Sequence, residues 1–161
     1  MKIAFLNEYD IVNYKKPSMF LGFPRCSGKC NLLNNKIICQ NQFLQQAEKY
    51  DVSISELIEK YRNNHLVKAV VCGGLEPFDS PIELTEFLAA FRKNFKDDIV
   101  IYTGYNKEEL QAQLVLAHLK EENIKNVIIK FGRYIEGDLP HYDKVLGVNL
   151  ASNNQYAEKV L

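Results

Sequence analysis

The chain has no surplus charge: 20 Lys and Arg face 20 Asp and Glu, for a formal net charge of zero. No basic block stands out, so the clustered cations that neutralise phosphate are missing and no nucleic-acid partner is expected. The nearest pair, Lys15-Lys16, reads as a solvated turn. No apolar run approaches the roughly 20 residues of a membrane span, so no membrane segment is expected either. The opening residues reach Glu8 too early for a secretory core. A cytoplasmic chain with reduced thiols is the expectation. Internal repeats, low-complexity stretches and linkers are also missing. There is no C-x-x-C pair, and nothing specifically marks a depressed thiol pKa, which counts against a thiol redox enzyme.

What is present is ordinary globular composition, 47% hydrophobic and 25% charged over 161 residues. That suits one domain over residues 1–161, able to bury roughly 70% of its unfolded surface without a disulfide. Short strands are predicted at Lys2–Asn7 and Ser18–Phe23, followed by a polar loop from Pro24 to Asn41. Val52–Asn63 reads as a helix: Ser53 and Glu56 form a capping box, and Ile54, Leu57, Ile58 and Tyr61 an apolar stripe. Leu66–Cys72 is a β-branched run without alternation, which suits a strand buried on both faces. Ser80-Pro81 opens a helix with a buried face of Leu84, Phe87, Leu88 and Phe91. Ile99–Thr103 is a further strand. Asn106 and Glu109 cap the next helix, with a stripe of Leu110, Leu114, Ala117 and His118. Asn126–Phe131 is the last predicted strand. Strand, turn, capped helix, strand recurs at least three times, which means parallel strands with right-handed crossovers. The predicted fold class is α/β: an open partial (β/α) barrel of five or six mostly parallel strands, or a doubly wound sheet. The site is then expected at the carboxyl ends of the strands.

Three of the four cysteines lie in the polar loop, as Cys26, Cys30 and Cys39 with spacing C-x3-C-x8-C. Thiolates are soft ligands that favour iron–sulfur clusters or zinc. A structural zinc takes four ligands, and here the count stops at three. Three cysteines leave one iron of a four-iron cluster open to a small molecule. Cys72 ends an apolar strand, where it either packs in the core or points into the site. The turn Gly73-Gly74-Leu75-Glu76-Pro77 lets the backbone approach a ligand closely, and Glu76 can pair with an ammonium group.

In this order, the residues resemble the radical S-adenosylmethionine superfamily. The closest match is to its small members that activate glycyl radical enzymes. The cysteine loop is similar to that family's cluster loop, and Gly73-Gly74-Leu75-Glu76-Pro77 to its Gly-Gly-Glu-Pro turn. Ile101-Tyr102-Thr103-Gly104-Tyr105 with Glu108-Glu109-Leu110 resembles its next strand end and helix start. Gly132-Arg133-Tyr134-Ile135-Glu136 is similar to its glycine–basic–aromatic segment, and Gly147 to Asn154-Gln155 to its tail. The family's second cysteine gap is two residues, against eight here, so the segment 31–38 carries a six-residue expansion. Ile38 stands where an aromatic usually lies against adenine and offers an aliphatic contact. Lys130 stands where the activators more often carry Asp.

The resemblance implies a [4Fe–4S] cluster on Cys26, Cys30 and Cys39. It also implies S-adenosylmethionine held with the help of Gly73, Gly74, Glu76, Ile38, Tyr102 and Thr103, with no catalytic residue beyond the cluster. Reductive cleavage to a 5′-deoxyadenosyl radical would then generate a glycyl radical on a large partner enzyme such as an anaerobic ribonucleotide reductase. The electron would come from a donor such as flavodoxin or ferredoxin. Alternatives are radical modification of another small molecule or peptide, and a non-catalytic iron–sulfur or zinc-binding protein.

Overall fold

The computed structural model describes residues 1–161, apart from the side chains of Leu33 and Asn34. Its first half contains β1 (Lys2–Ile3), β2 (Phe5–Asp10), β3 (Ser18–Phe23), α1 (Lys29–Asn34), α2 (Gln42–Gln46), β4 (Tyr50–Asp51), α3 (Ile54–Asn63) and β5 (Ala69–Gly74). A 3-10 turn at Pro77–Asp79 leads to α4 (Pro81–Asn94), β6 (Asp98–Tyr102), α5 (Leu110–Glu121) and β7 (Val127–Phe131). β8 (His141–Asp143), β9 (Val148–Leu150) and β10 (Tyr156–Lys159) complete the chain. Six strands form one mixed sheet in the order β10-β7-β6-β5-β3-β2. The four central strands are parallel, and β2 and β10 close the two edges antiparallel.

The three predicted crossover helices are α3, α4 and α5, and all of them cover the same face. Met19, Leu21, Phe23, Val70, Ile99, Ile101, Ile129 and Phe131 alternate onto that face. There they pack with Leu57 of α3, Phe87 of α4 and Val115 of α5 in one apolar cluster. Phe20, Val71, Val100 and Ile128 point the other way, into a smaller cluster with Tyr14, Leu146 and Leu150. The sheet is therefore wound on one side, and its other face is only partly covered, by the β2–β3 loop and the β8–β9 hairpin. A single-sided winding separates this arrangement from a doubly wound sheet, in which helices cover both faces.

The caps follow the sequence in part. Ser53 Oγ accepts from Glu56 N at 3.1 Å, as a capping box requires. Ser80 occupies the N-cap of α4 with Pro81 at its first position, yet its hydroxyl makes no cap bond. In α5 the predicted stripe is displaced. Ala112, Val115, Leu116 and Leu119 are the buried set, while Leu110 is 75% and Leu114 56% exposed. The helix is apolar over more than one stripe, and contact with the sheet, rather than the first periodic match, selects the buried one. The loop from Pro24 to Asn41 is not wholly irregular, because α1 forms inside it. The β8–β9 hairpin and the edge strand β10 were not anticipated, since each is only three or four residues long.

No helix among the described residues is long and apolar enough to cross a membrane. Cys72 is fully buried on the helix-covered face, and burial pushes its thiol pKa far up. It packs as a small apolar side chain. Cys72→Ser is expected to cost about 1–3 kcal/mol, the desolvation of a new hydroxyl in the core. Urea unfolding of the metal-free chain reads that loss. The iron content after reconstitution should be unchanged.

Candidate metal centre

The cysteine loop leaves the carboxyl end of β3 and hangs on the turn that follows β5. Leu75 N donates to Phe23 O at 3.3 Å, and Glu76 N to Arg25 O at 2.8 Å. On the far side of the loop, Asn41 Nδ2 donates to Gly74 O at 2.7 Å. Ser27 N donates to Asp79 Oδ2 at 2.6 Å, and Asp79 Oδ1 accepts the Tyr105 hydroxyl at 2.6 Å. Lys29 and Arg133 lie over the Tyr105 ring at 4.3 and 5.3 Å. The Arg133 guanidinium is also forked onto Glu109 at 2.6 and 2.8 Å. That contact holds the Glu109 carboxyl down at about 2. Two strand ends and a helix start are thus tied to one loop.

The eight residues between Cys30 and Cys39 are taken up by α1 and one side chain. Asn31 Oδ1 accepts from Ile38 N at 2.9 Å and from Cys39 N at 3.0 Å, which folds the chain back. Cys26, Cys30 and Cys39 consequently line a single pocket of about 700 Å³. Each is partly buried. Burial pushes the Cys26 thiol up to about 11, although Gly28 N donates to its sulfur at 3.3 Å. Cys30 is raised by burial and then by Cys39 beside it.

Of the predicted cofactor residues, Gly74, Glu76, Tyr102 and Thr103 line this pocket. Gly74 has φ +84°, and a Cβ there would lie 2.9 Å from Gly22 Cα. Gly73 is not on the pocket wall. A Cβ on it would come within 2.8 Å of the Phe20 ring, so its smallness makes room for that packing. Ile38 is buried at 8% exposure and is not part of the wall. Tyr102 is fixed by its hydroxyl, which donates to Asn13 O at 2.6 Å.

Glu76 is 7% exposed and accepts three hydrogen bonds. Phe78 N (3.0 Å) and Thr103 Oγ1 (2.7 Å) donate to Oε1, and Gly104 N (2.7 Å) to Oε2. Burial lifts its carboxyl to about 7 against the pull of those donors. Lys130 also lines the wall, only 6% exposed, and donates to Gly132 O at 2.7 Å. Burial depresses its ammonium to about 8.

Sequence reasoning missed Asn31 and Asp79 as anchors, and did not assign Lys130 to the site. Asp79 was hidden because Ser80-Pro81 already explained its neighbourhood as a helix start. Lys130 carried a legible signal, a cation inside the apolar run Val127–Phe131. The tail residues Asn154 and Gln155 close the site's far end. Asn154 Nδ2 donates to Arg133 O at 2.9 Å, and Gln155 Nε2 to Gly132 O at 3.2 Å.

Among the described residues, no three Cys, His, Asp or Glu side chains converge on one point as a single metal ion requires. A zinc ion needs its sulfur donors about 2.3 Å from a common centre. A four-iron cluster instead spreads its thiolates over separate irons, so donors set around a pocket rim suit it. Three soft thiols around an open pocket fit that group. A family model described as a 4Fe-4S single cluster domain matches residues 18–149, a span that holds all four cysteines. The chain belongs to this 4Fe-4S single cluster domain family. A [4Fe–4S] cluster is therefore its cofactor class. No curated protein and no solved structure matches the chain.

The buried Glu76 carboxyl has a pH signature. Its folded value of about 7 lies above the unfolded value of about 4.3. The unfolded chain therefore loses this proton first, and stability falls as pH rises from about 4.3 to about 7, then levels. The decline from this one group is at most about 4 kcal/mol. In Glu76→Gln that component is expected to vanish. Urea unfolding of both metal-free chains near pH 5 and near pH 7.5 checks it: a stability gap independent of pH would show that Glu76 titrates normally.

Proposed function

We propose that Cys26, Cys30 and Cys39 hold three irons of the [4Fe–4S] cluster and that the chain uses it to cleave S-adenosylmethionine reductively. The product radical would generate a glycyl radical on a large partner enzyme of the anaerobic ribonucleotide reductase type. One observation carries this reading. Three thiols and a buried carboxylate share one pocket at the carboxyl ends of parallel strands, while Cys72 lies on the opposite face. A four-iron cluster held by these three thiolates would have one iron without a cysteine from this chain, where a ligand could bind.

When bound, the cluster supplies one electron that splits the sulfonium into methionine and a 5′-deoxyadenosyl radical. The chain's own residues bind and orient. Glu76 Oε2 receives a single protein donor, Gly104 N, so it keeps acceptor capacity for the ligand's ammonium group. Gly74 brings backbone close to the same place, and Tyr102 and Thr103 form the adjoining wall. Helices on one face only, with short edge elements on the other, suit an open partial barrel whose uncovered side admits a partner's loop. An electron donor such as flavodoxin or ferredoxin completes the set. This is cofactor chemistry in which the protein contributes positioning and water exclusion.

The three hydrogen bonds already made by Glu76 favour a second reading, a non-catalytic cluster protein in which that carboxylate only clamps strand ends. Anaerobic reconstitution separates the two. The wild-type chain is expected to bind four irons, bleach with dithionite and release 5′-deoxyadenosine from S-adenosylmethionine. Cys39→Ala is expected to lose the cluster. A reducible cluster that yields no 5′-deoxyadenosine would support the second reading. A full four-iron complement in Cys39→Ala would sink the ligand assignment.

A further inference from the structure

Each central strand starts beside a lysine. Lys16 precedes β3, Lys68 precedes β5, Lys96 precedes β6 and Lys125 precedes β7. β10 runs antiparallel to β7 and ends on Lys159, at the same edge of the sheet. Backbone and side-chain bonds tie these positions together. Lys68 N donates to Pro17 O at 2.8 Å, Asn126 Nδ2 to Lys96 O at 3.1 Å, and Lys159 Nζ to Asn126 Oδ1 at 3.3 Å. With strands about 4.8 Å apart, the five lysines form a row of roughly 19 Å. They lie far apart in the chain, so no basic block is visible in the sequence, and the fold assembles one.

All five are exposed. Among the described residues, only Lys16 of the five is in an ion pair, with Asp98. The acids of this edge are engaged by buried tyrosines: Asp98 also accepts the Tyr14 hydroxyl at 2.9 Å, and Asp97 the Tyr61 hydroxyl at 2.8 Å. Glu121, Glu122 and the Leu161 carboxyl group stand at the same end, offset by Lys15, Lys93 and Lys120. Lys93 and Lys120 complement the macrodipoles of α4 and α5, but Lys68, Lys96 and Lys125 lie beyond the helices. The carboxyl end of the sheet is different. There Arg25 is matched by Glu83, Lys36 by Glu136, Lys107 by Glu158, and Lys29 and Arg133 by Glu109. A chain of zero net charge therefore carries its uncompensated positive field at the end opposite the cysteines.

We propose that this row is a docking surface for an acidic segment of a protein partner. About six extended residues cover its length. Three features favour a protein over a nucleic acid. The charges are lysines, compact point charges without the guanidinium fork that suits phosphate. Asp97 and Asp98 interrupt the row, which opposes an unbroken phosphate backbone, whereas a protein segment can place a donor there. No exposed aromatic ring lies in the loops that enter the central strands, so bases have no stacking platform. An apolar anchor is present instead: Leu66 is 69% exposed just before Lys68. The surface lies away from the pocket, so its occupancy is independent of what the pocket binds.

The test is fluorescence anisotropy on the reconstituted full-length chain. The probes are dye-labelled decaglutamate, a decapeptide of glutamates with two central leucines, and a ten-nucleotide single-stranded DNA. The leucine-containing peptide is expected to bind wild type, and to weaken as NaCl rises from about 50 to about 300 mM. Lys68→Glu/Lys96→Glu/Lys125→Glu is expected to weaken it at least about 10-fold, the sum of three exposed ion pairs. Lys68→Gln/Lys96→Gln/Lys125→Gln should show a smaller loss in the same direction. Lys2→Glu/Lys36→Glu/Lys107→Glu changes the net charge equally at other places and should bind as wild type does. Leu66→Ser should lower the leucine-containing peptide to the level of decaglutamate. Urea unfolding checks that each variant is folded. Equal losses in the two glutamate triples would overturn the proposal, because net charge and not this surface would then be read. So would failure of wild type to bind either peptide. Tighter binding of the DNA than of the peptides would assign the row to nucleic acid and overturn it as well.

Discussion

A single buried carboxylate organises the working end of the molecule. Glu76 leaves β5, and its two oxygens gather Phe78 N from its own turn and Thr103 Oγ1 and Gly104 N from the end of β6. Parallel strands are joined to one another only along their length, and their carboxyl ends would otherwise splay into separate loops. Three donors on one acceptor group prevent this. They are charge-assisted whenever Glu76 is ionised, which makes each stronger than a neutral pair. The cysteine loop then borrows this fixed point. The Glu76 backbone binds Arg25, and Asp79, one turn further on, binds Ser27 and Tyr105. Cys26 is held between those two contacts. The cysteine loop is long and polar, yet its two ends are anchored to the best-fixed part of the sheet.

The uneven covering of the sheet follows from side-chain alternation. One alternating set is almost wholly aliphatic and aromatic and disappears beneath α3, α4 and α5. The other begins with Val71, Val100 and Ile128 near the strand middles and ends with Tyr102 and Lys130 toward their carboxyl ends. A face that turns polar along its length cannot be buried by a helix at both ends. It is covered where apolar, by Leu146, Leu150 and Tyr14, and left as a pocket where polar. The site therefore arises from the strands themselves as well as from their loops.

Legibility from sequence tracked the size of the physical signal. The four central strands and three crossover helices were read correctly in kind because each carries a long apolar run or a strong cap, as at Ser53 and Glu56. The short pieces β8, β9 and β10 escaped, since a three- or four-residue strand is stabilised by its neighbours rather than by its own pattern. The buried face of α5 was displaced because Leu110 and Leu114 offered a stripe as apolar as the true one. At the site, thiols and glycines announced themselves by residue type. Gly73 shows the limit of that signal: its lack of a Cβ makes room for the Phe20 ring, a packing need that residue type alone does not announce.

The widened spacing between Cys30 and Cys39 shows why motif distance along a chain is a poor measure of distance in space. Closing a loop of eight residues instead of two costs only about 1 kcal/mol more, because loop entropy rises with the logarithm of length. The extra residues recover part of that cost by forming α1. Asn31 then accepts two consecutive N–H groups, at Ile38 and Cys39, and sets the direction in which the chain returns. Asn41 Nδ2 fixes the following turn to Gly74 O. Cys39 sits between two asparagine anchors, so its place depends on them and hardly at all on how many residues precede it. The better predictor of a shared thiol site is the set of short polar side chains that flank each cysteine and have strand-end backbone within reach.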